Sequence, residues 1–412
     1  MKKLYYIIFL TSYVYILWLG NLSAQYVPAP GKVSKLPTIL TGGTLHLGNG
    51  LAVQGDLVID GKKIVAVGPD QTITYKQAIS IDISGKHVYP GFITLASTLG
   101  LEETEQANAT RDDRETGTVN PSVRALVAYN TDSHIIPTIR CNGVLLAQIA
   151  PAGGLFSGTS SVVQLDAWNY EDAVIKRDDG VYMNWPSMEF YQAWWAPPVA
   201  EQKKSAERKM KTLEEFIEDA KAYAKAKKSA TPPANNPSLE AMVPVIEGKR
   251  KLFIRANGEK QIIAAAAFTA KHSIKMVLVG GFESYLQTDL LKSYKIPVVL
   301  TRTHRLPLRE DDPVDLPFRI PSILEAAGIT FAFETEDHWN ERNLSYQAGT
   351  ARAYGLDPES AVKSLTSYPA QILGIDHLYG TLEAGKSATL IVTEGDALDM
   401  MSSTVEHAFI DG

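Results

Sequence analysis

The apolar positions change their period twice along the chain. From residue 38 to 88 they follow short strands without a helical repeat. Gly55 to Ile59 and Lys63 to Val67 flank Asp60-Gly61, a pair suited to the positive φ of a tight hairpin. From Val88 onward, apolar strands alternate with helices. Strands are predicted at Lys251 to Ala256, Lys275 to Gly280, Pro297 to Thr301 and Thr330 to Glu334. Helices are predicted between them, at Gln261 to Lys271, Tyr285 to Tyr294 and Pro321 to Ala327. Helical crossovers of this length demand a parallel sheet covered on both faces. Periodicity alone leaves a closed barrel and an open doubly wound sheet equally open. The last segment returns to strands, Ala388 to Thr393 and Val405 to Ile410. Asp411-Gly412 then reads as a hairpin turn whose second strand lies beyond the given residues.

Two stretches stand outside this order. Between about 195 and 244, Leu213, Phe216, Ile217, Ala220 and Ala224 fall at helical spacing, with Lys and Glu on the other faces. This predicts an inserted helix, ended by the proline-rich run Thr231 to Pro237; its lysines read as a solvated face. At the start, Lys2 and Lys3 precede an apolar run from Leu4 to Gly20, and Leu22-Ser23-Ala24 offers a small-residue cleavage point. Residues 1–24 therefore read as a signal peptide and 25–37 as a linker, which predicts export to a periplasm or beyond. No later stretch is long and apolar enough to span a bilayer.

Composition narrows the classes further. The chain has 412 residues and a net charge of -6, an acidic balance that argues against nucleic-acid binding. The single cysteine, Cys141, permits no internal disulfide and reads as a buried inert thiol.

Four segments carry a resemblance to a known family. Asp60 to Gly68 resembles a "dG-kI-a-vG" hairpin, and Tyr89-Pro90-Gly91-Phe92-Ile93 a "PG-hydrophobic-hydrophobic" entry into a first barrel strand. Tyr368-Pro369-Ala370-Gln371-Ile372-Leu373-Gly374 resembles an "NPA-ilG" helix, and Gly380 to Leu390 the motif "GtlepGKdADl". In order and spacing these resemble the amidohydrolase superfamily, and within it the imidazolonepropionase-like members. The resemblance implies a TIM-like (β/α)8 barrel at 89–377 and a small β-sandwich domain from both chain ends, 38–88 plus 378–412. It also implies hydrolysis of non-peptide carbon–nitrogen bonds, in amides or cyclic amides, by water activated on zinc or another divalent metal.

The metal ligands that the resemblance implies are missing. The places of a His-x-His pair hold Ala96 and Thr98, and Arg255 stands near the place of a middle-strand histidine. None of the eight histidines forms His-x-His or His-Glu-x-x-His. His304 and His338 are left as barrel-end candidates, with His134 behind them. A single metal held by His304, His338 and a carboxylate such as Asp337 is the residual arrangement. Without one, a carboxylate is the natural general base and an arginine the natural oxyanion partner. Glu336, Asp337 and His304 are the catalytic candidates; Arg305, Arg255, Arg342, Asn343 and Asp112 are the substrate-binding candidates. The glycine-rich run Pro151 to Ser161 lacks a P-loop lysine and reads as a tight connection between two strands. Two functional readings follow: an exported amidohydrolase-like enzyme with an atypical site, or a non-catalytic relative that binds a small molecule or partners an active paralogue. A homo-oligomer is compatible with both.

Overall fold

The structure is a computed structural model, and it describes residues 29–32, 34–69, 75–104 and 106–412. The expected leader and the first residues of the linker lie outside these. The chain opens with β1 (Thr38–His46), β2 (Ala52–Asp60), β3 (Lys63–Gly68), β4 (Ile79–Asp82) and β5 (His87–Pro90). It continues through β6 (Phe92–Ser97), β7 (Val144–Ile149), β8 (Phe156–Gln164), β9 (Val174–Asn184) and β10 (Lys251–Ala256). Then come β11 (Met276–Gly280), β12 (Val298–Thr301), β13 (Phe331–Glu334), β14 (Leu390–Glu394) and β15 (Thr404–Phe409).

Strands from the two ends of the described chain share one seven-stranded sheet, in the order β15-β14-β5-β1-β2-β3, with β4 also paired to β1. The β2–β3 hairpin turns through Gly61 at φ +56°, as Asp60-Gly61 predicts. Leu40, Leu57, Ile64, Val88, Leu390 and Val392 form the sheet's own core.

The other eight strands form a second sheet in sequential order from β6 to β13, and its two outer strands pack side by side to bring the barrel near closure. One strand departs from the predicted parallel order. β8 runs antiparallel to both β7 and β9. The cause is loop length: six residues join β7 to β8, too few for the helical crossover that a parallel return needs. The first part of the glycine-rich run, up to Leu155, therefore makes a hairpin turn at the barrel mouth, while Phe156 to Ser161, expected in the connection, belong to β8. Asn184 Nδ2 donates to the carbonyls of Gly153 and Gly154, at 3.1 and 2.8 Å, so these carbonyls face a donor.

Inside the barrel lie Ile93, Leu146, Phe253, Val277, Val299 and Ala332. Ile372, Leu373 and Ile375 join this cluster from the helix Ser367–Leu373 and the turn after it, which close the N-terminal end of the strands. Lys251, the first residue of β10, donates to the Gln371 carbonyl at 3.3 Å, and Lys176 to that of Leu373. The strands' C-terminal ends thus form the opposite, polar rim, where barrels of this kind carry their chemistry. Outside the sheet, Glu259–His272, Leu316–Ala326 and Leu344–Ala353 are among the covering helices.

The insertion is two helices, Val199–Ala226 and Pro237–Ile246, the second capped by Asn236 with Pro237 in its first turn. Cys141 corrects its expectation: it is exposed, at the end of the helix Ile135–Arg140. Among the described residues no helix is long and apolar enough to cross a membrane.

Gly349 is a point of close approach between a barrel helix and the C-terminal segment. A Cβ there would overlap the Leu398 carbonyl oxygen, a backbone atom that cannot swing aside. Gly349→Ala is expected to cost about 2 kcal/mol by overpacking, read as a lower urea midpoint at unchanged slope.

Candidate active site

The centre of the barrel mouth is an ion pair. Arg255, near the end of β10, places Nη1 3.4 Å from Glu334 Oε1 at the end of β13. Its Nη2 donates to the Ala96 carbonyl at 3.2 Å, and the guanidinium lies 5.6 Å from the centre of the Tyr182 ring. The Glu334 side chain is only 2 % exposed, whereas Arg255 keeps 28 %. The Thr301 hydroxyl also donates to Glu334. Burial pushes the Glu334 carboxyl up from its ordinary range, with Arg255 and the Thr301 hydrogen bond opposing.

The walls around Arg255 are held by a buried hydrogen-bond chain. Gln148 Oε1 accepts from the Tyr182 hydroxyl at 2.7 Å and from the Ala96 N–H at 3.3 Å. Its Nε2 donates to Asp179 at 2.7 Å, and Ser160 donates to the same carboxyl at 2.8 Å. Tyr182 stacks on Phe253 at 4.9 Å. Ala96 sits at φ +56°, a left-handed conformation that alanine adopts at a cost, and this aims its carbonyl at the guanidinium.

A second group rises on the turn after β13. Asp337 caps the short 3-10 helix His338–Asn343, accepting from the Trp339 N–H and the Asn340 amide, each at 2.9 Å. The cap fixes His338 and Glu341, three residues apart, on the inner side of the turn. His338 Nδ1 lies 3.4 Å from the Thr98 hydroxyl, and its Nε2 is buried without a hydrogen-bond partner. Glu341 is 2 % exposed; the Ser97 hydroxyl donates to it, while its Oε2 has no hydrogen-bond partner. Burial, reinforced by nearby Glu334 and Asp337, pushes the Glu341 carboxyl up to about 8. It therefore holds a proton at neutral pH.

The candidates predicted from sequence fall in different places. Glu336, at φ +65°, is exposed and pairs with Arg302 at 3.5 Å. Asp337 spends its oxygens on capping. His304 is exposed; its Nε2 meets the Thr350 hydroxyl at 2.7 Å and its ring lies edge-on to Phe318, so it packs on the outer helices. Burial of part of the ring pushes its pKa down. Arg305 lies 3.9 Å over the Phe282 ring, and desolvation lowers its pKa. Arg342 is exposed and Asn343 half-buried, just ahead of the helix Leu344–Ala353. Asp112 is exposed, and its neighbour Asp113 is the buried carboxylate, bound by Arg114 at 2.9 Å. Glu341, Ser97, Gln148 and Tyr182 were not among the predicted site residues. The spacing of Glu341 three residues from His338, behind a capping aspartate, is the signal for it.

These residues do not fit a binuclear metal centre. Zinc takes three or four imidazole, thiolate or carboxylate ligands. Ala96 and Thr98 supply none, and the Arg255 guanidinium sits beside Glu334, where a cation would need that carboxylate. One imidazole nitrogen and one carboxyl oxygen are left, on His338 and Glu341. Among the described residues, the one trio with ligand atoms close together is Glu214, Glu218 and His272. It lies on outer helices, and Lys221 and Lys271 already bind it.

Comparison with known proteins agrees with this architecture. Residues 317–412 match the amidohydrolase family. A solved amidohydrolase from Thermotoga maritima is 26 % identical, with a TM-score of 0.80 over 91 % of this chain and 98 % of that one. A prolidase complexed with N-methylphosphonate-L-proline shares the fold at 17 % identity and a TM-score of 0.56, with the same coverage. The A. niger ochratoxinase does so at 16 % and 0.53, covering 92 % of this chain and 95 % of that one. No curated protein matches.

Proposed function

The chain carries an amidohydrolase-family domain, and from that premise we propose an exported hydrolase of non-peptide carbon–nitrogen bonds whose site is built from side chains alone. Within the family, the four quoted motifs favour the imidazolonepropionase-like branch. One observation carries the reading: polar atoms of His338 and Glu341 are left unpartnered and buried beside the Arg255–Glu334 pair. Buried polar groups are almost always satisfied, so unsatisfied ones at a barrel mouth mark a place prepared for a ligand.

The chemistry follows from the groups. Arg255 has N–H donors beyond those given to Glu334 and Ala96, and these suit an anionic oxygen of the substrate, its carboxylate or the amide oxygen on which negative charge grows. Protonated Glu341 supplies a proton to the leaving nitrogen. Glu336, open to solvent at the mouth, takes the proton of the attacking water. The protein needs a small neutral or anionic substrate; N-acyl amino acids and cyclic amides make up the test panel, with dipeptides, suggested by the prolidase among its structural neighbours, as the peptide-bond comparison. Turnover on that panel is expected, and Glu336→Gln is expected to lower kcat by roughly 10²-fold. Lack of turnover on the whole panel would refute the reading.

The second reading, a non-catalytic small-molecule binder or partner of an active paralogue, draws on Ala96 and Thr98. It predicts ligand-dependent stabilisation without turnover.

A further inference from the structure

The mismatch between the expected metal ligands and the residues present has a positive content. We propose that the Arg255 guanidinium is the resident cation of the barrel mouth, standing in for a metal, and that its open face receives the carboxylate of a small-molecule ligand.

Four observations carry this. Arg255 is fixed in place: Glu334 on one side at 3.4 Å, the Ala96 carbonyl on another at 3.2 Å, the Tyr182 ring beneath. Each of these partners is itself held, Tyr182 and Ala96 through Gln148 and Glu334 through Thr301. Such a guanidinium is pre-organised, so little rotamer entropy is lost when it binds. Second, it is not used up. Two of its nitrogens make the contacts named, a guanidinium has five N–H donors, and 28 % of the side chain stays open. A planar fork with free donors matches a carboxylate in bidentate fashion.

Third, two more guanidiniums emerge from the exit of β12. The Arg305 Nε is buried without a hydrogen-bond partner. Arg302 is next to β13 through its N–H to the Glu334 carbonyl at 2.9 Å, and it pairs with Glu336. Arg255 and Arg302 thus flank Glu334 and Glu336, while Arg305 answers Asp312 first and Glu336 after it. The guanidinium beside Glu334 takes the place from which a divalent cation would draw that carboxylate, and its free donors are what an anion would meet. Fourth, Ala96 holds a left-handed backbone at the mouth, and that strain serves the carbonyl contact to Arg255. A cation tied to the protein so specifically leaves no place for a free one.

The proposal rests on the barrel mouth being the reaction site, but its test reads metal and anion binding. A protein that turns nothing over fails as a hydrolase without touching it. The full chain is incubated with excess zinc chloride, desalted and assayed for zinc by mass spectrometry. The wild type and the Ala96→His/Thr98→His variant are expected to retain no stoichiometric zinc. Ala96→His/Thr98→His/Arg255→His is expected to retain about one zinc per chain. Histidine tolerates the left-handed backbone at 96. Equal zinc in the double and triple variants overturns the claim that Arg255 holds the cation's place.

Because the triple variant risks misfolding, a second measurement uses single substitutions whose fold is verified by circular dichroism. N-acetylglycine is titrated at constant ionic strength and its binding read by thermal shift. Saturable stabilisation of the wild type is expected, weakened at least about tenfold in Arg255→Met and partly kept in Arg255→Lys. The uncharged N-acetylglycinamide is expected to give no matching shift. Absence of a wild-type response, equal binding of the amide, or Arg255→Met within twofold of wild type each overturns the proposal.

Discussion

Replacing Arg255 with methionine is expected to remove about 2–3 kcal/mol of stability at neutral pH and to lower turnover by roughly 10²- to 10³-fold. The stability loss follows from Glu334. Its carboxylate is 2 % exposed, and among the described residues Arg255 is its ion-pair partner. Removing one member of a buried pair strands the other, which costs several kcal/mol in full burial; the partial exposure of Arg255 places the effect at the lower end. The pH dependence has a definite sign. Burial already raises the Glu334 pKa, and loss of Arg255 raises it further, because an opposing influence disappears. The penalty is therefore largest above that raised pKa, where Glu334 must stay charged or take up a proton, and it fades in acid, where the carboxyl is neutral in both proteins. A second substitution, Glu334→Gln, removes the stranded charge and is expected to return much of the loss. Urea unfolding of the wild type, both single variants and the double variant at several pH values checks this as a double-mutant cycle. A loss that is constant with pH and additive with Glu334→Gln would show that Arg255 acts through packing alone.

How far the site was legible in sequence depends on the kind of signal each residue leaves. The strands β10 to β13 were readable to within a residue or two, because fully buried parallel strands appear as apolar runs between amphipathic helices. β8 was only partly readable: Phe156 to Ser161, expected in the connection, are already strand, and its antiparallel direction is set by a six-residue turn rather than by side-chain period. Ala96 and Thr98 showed at once that imidazoles were missing from the first strand. Arg255 was identified too, yet its partner was not. The run Phe333 to His338 offers three carboxylates in four residues from Glu334 to Asp337, and alternation cannot say which one the strand carries inward before the chain turns. The structure ends β13 at Glu334 and gives Glu336 a left-handed φ and an exposed side chain, while Asp337 becomes a helix cap. Gln148 was legible in principle, as a polar residue in an otherwise apolar strand whose side chain must find partners. Its partners come from β8 and β9, far along the chain, and only the barrel brings them together. His304 misled for the converse reason: a histidine at a barrel strand's exit has the right address, but its ring turns to Thr350.

Glu341→Gln is expected to make the protein more stable in mild alkali than the wild type, with the difference vanishing in acid. In the fold, burial holds the Glu341 carboxyl at about 8, against an ordinary value of 4.5. The folded state therefore binds a proton that the unfolded state has released throughout the interval between these values. A group raised in this way favours folding most below the lower value, and that favour is lost steadily as pH climbs to the upper one. At about 1.4 kcal/mol per pH unit, the loss across the interval is on the order of 4 to 5 kcal/mol, a large part of the stability of an ordinary domain. Glutamine keeps the shape and an acceptor for the Ser97 hydroxyl but carries no proton to lose. Its stability is then expected to stay flatter between pH 5 and pH 8, so the two curves meet in acid and part as pH rises. The same substitution separates structure from chemistry. If Glu341 donates its proton to a leaving nitrogen, turnover falls in the glutamine variant even where stability rises, and the alkaline limb of the wild-type pH profile disappears with it. Urea midpoints measured across this pH range, alongside kcat on any substrate from the panel, check both. Parallel stability curves for the two proteins would mean that Glu341 is ionised in the fold, and would remove the proton donor from the proposed chemistry.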